Sequence, residues 1–351
     1  MRRLFSNCGK TFAGLLLGSS LVLGTGCATD DSLDVLHPRV PTTPDKVDDN
    51  DDDDGADFFI PEDAVGPSDL GLTFQRLAKD PGDHPRAFVA VGGNIYWTAN
   101  IDEYHQAIFA SNFDTRAANV VIAKVNVEDL AGNEDGLWWV DPGLGQVVVM
   151  RNGDSFAAPV FDLPELATSI ALQGDMVYVG GADGHIFAAS QVDGTFAPIA
   201  EGAGVPMDLQ IANGKLYWST STKLGDNLYA YDFKSGETTE LLSRFDLSAG
   251  FVVDADLLAW ADSSMRAVLG VDPNGGEPFV LSEDHFGLSG IAMDRGSIYV
   301  TSMSENSVRF VPRQGGDSRL IGVNLDAPAN PVLIDGHIIL ETDEGAFVAA
   351  Q

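Results

Sequence analysis

The chain has 351 residues, with 20 Lys and Arg against 52 Asp and Glu, and its formal net charge is −32. This negative charge argues against nucleic acid as a partner and against docking onto anionic lipid by charge alone, because both need a basic surface. Hydrophobic residues make up 44% and charged residues 21%, a composition typical of a folded chain, and the 38 glycines favour a turn-rich β protein.

The first 26 residues have the features of a secretory signal peptide. Arg2, Arg3 and Lys10 supply positive charge ahead of an apolar run from residue 11 to residue 23. That run is shorter than the roughly twenty residues that a transmembrane helix needs. The sequence therefore predicts export and removal of residues 1–26.

The cleavage region resembles the lipobox of bacterial lipoproteins. Leu23-Gly24-Thr25-Gly26-Cys27 has small residues before the cysteine, with Gly24 where that motif usually has leucine. The resemblance implies lipidation of Cys27 with palmitate-type chains, and hence a membrane partner. Cys8 leaves with the signal peptide, so the mature chain would keep one cysteine and no disulfide. Ala28 after the cysteine favours the outer membrane, and an ordinary signal peptide with a chance cysteine is the alternative.

Residues 27–69 are predicted to be a disordered acidic tether. They contain five prolines and the self-repelling run from Asp48 to Asp54. The segment Asn50-x-Asp52-x-Asp54-Gly55 resembles the start of a calcium-binding loop, but its twelfth position is Pro61. A solvated spacer is the favoured interpretation.

One repeat occupies the remainder of the chain, residues 70–351. Each copy has an apolar strand, a tight turn and a second strand that usually carries Tyr or Trp. Equivalent positions recur at intervals of 39 to 42 residues; they are Tyr96, Trp138, Tyr178, Tyr217, Ala259, Tyr299 and Ile339. A third and a fourth strand follow in each copy, joined by turns that contain Gly, Asp or Asn. Four antiparallel strands in about forty residues describe one propeller blade.

The seventh copy contains three strands, and an unmatched strand at residues 72–78 precedes the first copy. If that strand completes the last blade, the ring closes and no blade edge stays unpaired. The predicted fold is therefore an all-β, seven-bladed β-propeller of four-stranded blades.

Two segments resemble the YWTD-type propeller repeat, Ile95-Tyr96-Trp97-Thr98 and Leu216-Tyr217-Trp218-Ser219. YWTD domains proper have six blades, whereas seven copies are present here. The aromatic pair and the Gly-Gly turn also resemble a group of bacterial propeller lipoproteins. The resemblance implies a fold and no activity, because propellers carry many functions.

No catalytic motif is recognisable, so no catalytic residue is assigned. The histidines of the repeat region lie in different copies, and the Tyr and Trp residues of the second strands are expected to fill the core.

The connections from fourth to first strands are acidic and are expected to converge near the channel as a candidate binding face for a protein or small-molecule ligand. The residues are Asp80, Asp83, Glu128, Asp129, Asp162, Glu165, Glu201, Asp246, Glu283, Asp284 and Asp326. Calcium is the cofactor that such loops could hold.

The favoured function is a non-catalytic binding or scaffold propeller displayed on the cell envelope. A propeller-type lyase, lactonase or hydrolase is one alternative, and histidines grouped with carboxylates at the channel mouth would support it. An envelope-assembly lipoprotein is the other alternative.

Overall fold

The computed structural model describes residues 71–78, 82–163 and 166–351, and the regular elements within these ranges are 28 β-strands. The predicted signal peptide, Cys27, the predicted tether and two candidate acids, Asp80 and Glu165, lie outside the described residues.

The strands form seven four-stranded antiparallel sheets, one for each repeat. Blade 1 consists of β2 (Asp83–Val91), β3 (Asn94–Asn100), β4 (Gln106–Ser111) and β5 (Asn119–Val125). Blade 2 consists of β6 (Asp129–Asn133), β7 (Gly136–Asp141), β8 (Gln146–Arg151) and β9 (Ala158–Asp162). Blade 3 consists of β10 (Ala167–Gln173), β11 (Met176–Gly181), β12 (His185–Ser190) and β13 (Phe196–Glu201).

Blade 4 consists of β14 (Val205–Ala212), β15 (Lys215–Thr222), β16 (Gly225–Asp232) and β17 (Thr238–Phe245). Blade 5 consists of β18 (Phe251–Val253), β19 (Leu258–Asp262), β20 (Ala267–Val271) and β21 (Phe279–Ser282). Blade 6 consists of β22 (Leu288–Met293), β23 (Ser297–Ser302), β24 (Ser307–Pro312) and β25 (Arg319–Val323). Blade 7 consists of β26 (Ala329–Ile334), β27 (His337–Thr342), β28 (Gly345–Ala350) and β1 (Gln75–Arg76). This arrangement confirms the predicted seven-bladed propeller.

The N-terminal strand closes the ring, as the sequence predicts. Gln75 pairs with Val348 in β28, so β1 becomes the fourth strand of blade 7. This strand is shorter than the predicted span of 72–78, because the segment also contacts blade 6, where the Leu72 N–H donates to the Ile321 carbonyl at 2.9 Å. Leu77 follows β1 and is fully buried, so the segment also fills a core position.

The hydrophobic core is divided into seven clusters, and each cluster fills the space between two neighbouring blades. The predicted core aromatics occupy these clusters, and Trp97, Trp138, Trp218 and Trp260 each have 0% exposure. Large side chains from facing sheets therefore hold adjacent blades together.

Two faces of the propeller follow from the strand directions. The first strand of each blade is innermost and contacts the first strands of its neighbours. In an antiparallel meander, the loops from second to third strands emerge on the same face as the loops from fourth to first strands. Hydrogen bonds join the two sets, as between Leu163 N and Gly145 O at 2.8 Å and between Asp343 N and Asp326 O at 2.9 Å. We call this the upper face.

Candidate functional site

The nine predicted acids that belong to the described ranges lie at the upper face, but four of them are strand residues rather than loop residues. Asp83 and Asp129 begin the inner strands β2 and β6, while Asp162 and Glu201 end the outer strands β9 and β13. The side chain of Asp83 is not described. The loop residues are Glu128, Asp246, Glu283, Asp284 and Asp326.

Asp129 is held between two blades. Its carboxylate accepts hydrogen bonds from the backbone N–H of Leu130 at 2.8 Å and of Ile170, on the neighbouring inner strand β10, at 2.9 Å. Burial raises its pKa to about 6, and the negative charges of Asp208 and Glu128 act in the same direction. This carboxylate therefore ties blade 2 to blade 3 and changes charge in a mildly acidic range.

Asp208 is a channel residue that the sequence did not reveal. It lies in a β-bulge of the inner strand β14 with a φ of 49°. Neighbouring blades cover both faces of an inner strand, so the exposed Asp208 side chain reaches solvent through the channel. The protein around the channel still deprives the carboxylate of solvent, and this desolvation raises its pKa.

Glu283 and Asp284 are one of two adjacent pairs among the predicted acids, the other being Glu128 and Asp129. Glu283 and Asp284 line a groove of about 410 Å³ between blades 5 and 6, which Asp317 also lines. Among the described residues, no three His, Cys, Asp or Glu side chains are grouped closely enough to hold a metal ion. The described acids are therefore distributed around the upper face rather than gathered into one ligand set.

The histidines are also separate. His105 lies 2.8 Å from Asp102, and His185 lies 2.9 Å from Asp183, in the loops from second to third strands of blades 1 and 3. His185 Nε2 is also 3.9 Å from a carboxylate oxygen of Glu201. These contacts lie at the connections between second and third strands rather than on the inner first strands.

Exposed apolar side chains distinguish the two faces more clearly than charge does. Among the described loop residues, eight large exposed hydrophobic side chains lie on the upper face and two, Phe156 and Val192, on the opposite face. The eight are Ile101, Tyr104, Leu144, Leu166, Leu224, Met265, Phe286 and Met303. Acidic loop residues occur on both faces, so acidity alone does not identify a site. The eight are spread over loops of several blades, so what distinguishes the upper face is their number, and exposed apolar surface of this kind is a feature of interaction sites.

The same local structure presents four of these apolar side chains. At the end of a second strand, an Asp or Thr side chain accepts a hydrogen bond of 2.8 to 3.2 Å from the backbone N–H of the apolar residue two or three positions later. The pairs are Asp102 with Tyr104, Asp141 with Leu144, Thr222 with Leu224, and Asp262 with Met265. These turns fix the loop backbone, so several strand-end polar residues have a structural role.

The sequence contains a signal for this feature that was missed. An Asp or Thr followed two or three positions later by Tyr, Leu or Met recurs once per repeat in four copies.

None of the described residues belongs to a helix with the length and apolar character needed to cross a membrane.

No protein-family model and no curated protein sequence matches the chain. Solved structures do match it. Virginiamycin B lyase from Staphylococcus aureus has a TM-score of 0.61 at 11% identity, over 79% of this chain and 98% of that one. The extracellular domain of a hybrid two-component system protein from B. thetaiotaomicron has a TM-score of 0.60 at 12% identity, over 79% of this chain and 40% of that one.

BamB from Moraxella catarrhalis has a TM-score of 0.52 at 18% identity, over 80% of this chain and 97% of that one. These likenesses show a shared propeller fold. Their names include a lyase and a part of a two-component system, which agrees with the varied functions that this fold carries.

Proposed function

We propose that this chain is a non-catalytic binding propeller, held on the outer membrane of a bacterial envelope by a lipid at Cys27, and that its upper face binds a partner protein. The observation that carries the binding part is the set of exposed apolar side chains on the upper-face loops. Burying one Leu-sized side chain against a partner contributes about 1.5–3 kcal/mol, so a few such residues suffice for specific binding.

Binding is better supported than catalysis. His185 and His105 contact carboxylates in loops beside outer strands, and His285 is buried at 1% exposure with its Nε2 3.0 Å from Ser282 Oγ. His337 stacks on Phe113 at a ring distance of 3.8 Å. Four of the five described histidines thus serve separate local contacts, and the fifth, His84, is exposed on the inner strand β2, whereas the apolar residues share one face.

The anchor rests on the apolar run, the lipobox-like segment and the single cysteine of the mature chain. Several acyl chains hold a protein on a membrane almost permanently, since each buried CH₂ contributes about 0.8 kcal/mol. Labelling of cells with a palmitate analogue should mark the wild-type chain and miss Cys27→Ala. Equal labelling of the two would overturn the lipid anchor.

The binding face is tested by comparing two pairs of substitutions in the full chain. Leu144→Ser with Leu224→Ser changes the upper face, and Phe156→Ser with Val192→Ser is the control on the opposite face. Proteins that co-purify from detergent-solubilised envelope are quantified for each variant. We expect the upper pair to lose a partner that the control pair retains. Retention of the same partners by both would overturn the assignment of the face.

A further inference from the structure

Three exposed apolar side chains of the upper face come from segments that hydrogen-bond to one another at the junction of blades 5 and 6. They are Met265, Phe286 and Met303, with exposures of 50%, 46% and 50%, and we call them the Met–Phe–Met cluster. The His285 N–H donates to the Arg266 carbonyl at 3.0 Å on one side, and the Met303 N–H donates to the Gly287 carbonyl at 3.0 Å on the other. The segment that carries Phe286 is therefore fixed between the other two.

This segment is rigid at both sides of Phe286. Ser302 Oγ donates to the Phe286 carbonyl at 2.5 Å, and His285 is buried beneath the loop. Gly287 has a φ of +56°, and a Cβ added there would lie 2.2 Å from Ser304 Oγ, so a side chain fits neither the backbone nor the space. A preorganised loop loses little conformational entropy when a partner binds.

The loops of the cluster carry a net negative charge, with two carboxylates and one guanidinium. Glu283 and Asp284 precede Phe286 in the same loop, are exposed, and form no ion pair with the described part of the chain. The Arg266 guanidinium lies 4.9 Å from the centre of the Phe286 ring. Phe286 is 46% exposed beside this guanidinium, so part of its surface is open to solvent.

We infer that the Met–Phe–Met cluster binds a cationic amphipathic segment of the partner protein, with its apolar side chains on the cluster and its Lys or Arg side chains beside Glu283 and Asp284. The inference rests on the proposed function and names the chemistry of its partner. A second copy of this chain would bring acid onto acid, and the net charge of −32 favours approach of a cation. Unbranched Met side chains adapt to partners of different shape, and Phe286 supplies a fixed anchor.

The test uses a fluorescent amphipathic peptide of Leu and Lys, about eighteen residues long, or five helical turns. Binding to the full chain is followed by anisotropy. We expect Met265→Ser with Met303→Ser to weaken binding at least about tenfold, because each Met has half of its surface left to bury and the two together match about one fully buried side chain. A scrambled peptide of the same composition should also bind about tenfold more weakly. Equal binding of the scrambled peptide, or of the Met variant, would overturn the inference.

Two further variants test separately whether the carboxylates contribute to peptide binding and whether the peptide binds at this cluster rather than elsewhere. Glu283→Gln with Asp284→Asn should weaken binding several-fold and reduce its dependence on salt, since surface charge is screened over about 8–10 Å. Phe156→Ser with Val192→Ser, on the opposite face, is the matched apolar control and should leave peptide affinity within about twofold. An equal loss in this control would overturn the location of the site.

The outcomes distinguish the inference from the proposed function. If substitutions in the cluster do not change peptide binding while Leu144→Ser with Leu224→Ser still loses an envelope partner, the cluster assignment fails and the binding propeller stands. If Leu144→Ser with Leu224→Ser and Phe156→Ser with Val192→Ser keep the same envelope partners, the proposed binding face itself is wrong.

Discussion

Asp129 in blade 2 accepts a hydrogen bond of 2.9 Å from the backbone N–H of Ile170 in blade 3, across a separation of 41 residues. That separation is one repeat, so the bond joins neighbouring inner strands at similar heights. Burial of the acceptor raises its pKa to about 6, from 3.8 for a free Asp. The contact therefore couples one blade junction to pH.

The sign of that coupling gives the first prediction. The pKa of Asp129 is higher in the folded state than in the unfolded state, so protonation of Asp129 stabilises the fold. This stabilisation is fully present below about pH 4 and is lost as pH rises through 6. Asp129→Asn removes the ionisable group, and its amide keeps one of the two oxygens that accept from Leu130 and Ile170. The unfolding free energy of the variant should therefore lack the fall of up to about 3 kcal/mol that the buried carboxylate gives the wild type between pH 4 and pH 7. Urea unfolding across this pH range measures it.

The exposed loop residue Asp114 supplies the control for this measurement. Asp114→Asn should follow the wild-type curve at every pH. Parallel curves for Asp129→Asn and the wild type would show that the carboxylate at the blade junction has no effect on pH dependence.

The second prediction concerns ring closure. Removal of residues 1–78 takes away β1 and the buried Leu77, which leaves one edge of β28 unpaired and a cavity in the core between blades 7 and 1. The melting temperature should fall by about 10 °C or more, given the cost of losing a buried Leu and several neighbours. Removal of residues 1–63, the predicted signal peptide and most of the predicted tether, should leave the melting temperature unchanged. Identical melting temperatures for the two truncations would contradict a shared seventh blade.

Most of the fold could be predicted from the sequence repeat, because an aromatic residue recurs on the second strand in most copies. Trp97 and Trp218 are buried as expected, since large side chains on facing sheets have no other place in a propeller. The length of β1 was overestimated, because backbone pairing to blade 6 at Leu72 has no separate sequence pattern.

The candidate site was less accessible to sequence reasoning. Phe286 and Phe88 are the same residue type, yet Phe88 is 5% exposed and Phe286 is 46% exposed. The difference depends on which neighbouring loops cover each ring, and loop coverage is a tertiary property. Asp208 was missed for a similar reason, because a β-bulge changes the direction of one side chain without altering the alternating pattern around it.

The third prediction addresses calcium at the acidic loops. The described carboxylates that share the groove between blades 5 and 6 are not grouped as a metal-ligand set. Calcium chloride and sodium chloride of matched ionic strength should therefore raise the melting temperature of residues 70–351 equally, through general screening. A rise specific to calcium that disappears in Glu283→Gln with Asp284→Asn would show a calcium site instead.

The central claim is that the upper face, and not the opposite face, contacts a partner, and site-specific photo-cross-linking measures this directly. A photoreactive phenylalanine analogue replaces either Leu224, which is 71% exposed on the upper face, or Phe156, which is 84% exposed on the opposite face. The full chain is irradiated in the cells that express it. The account predicts a discrete cross-linked product from position 224 and none from position 156. Products from both positions alike, or from position 156 alone, would contradict it.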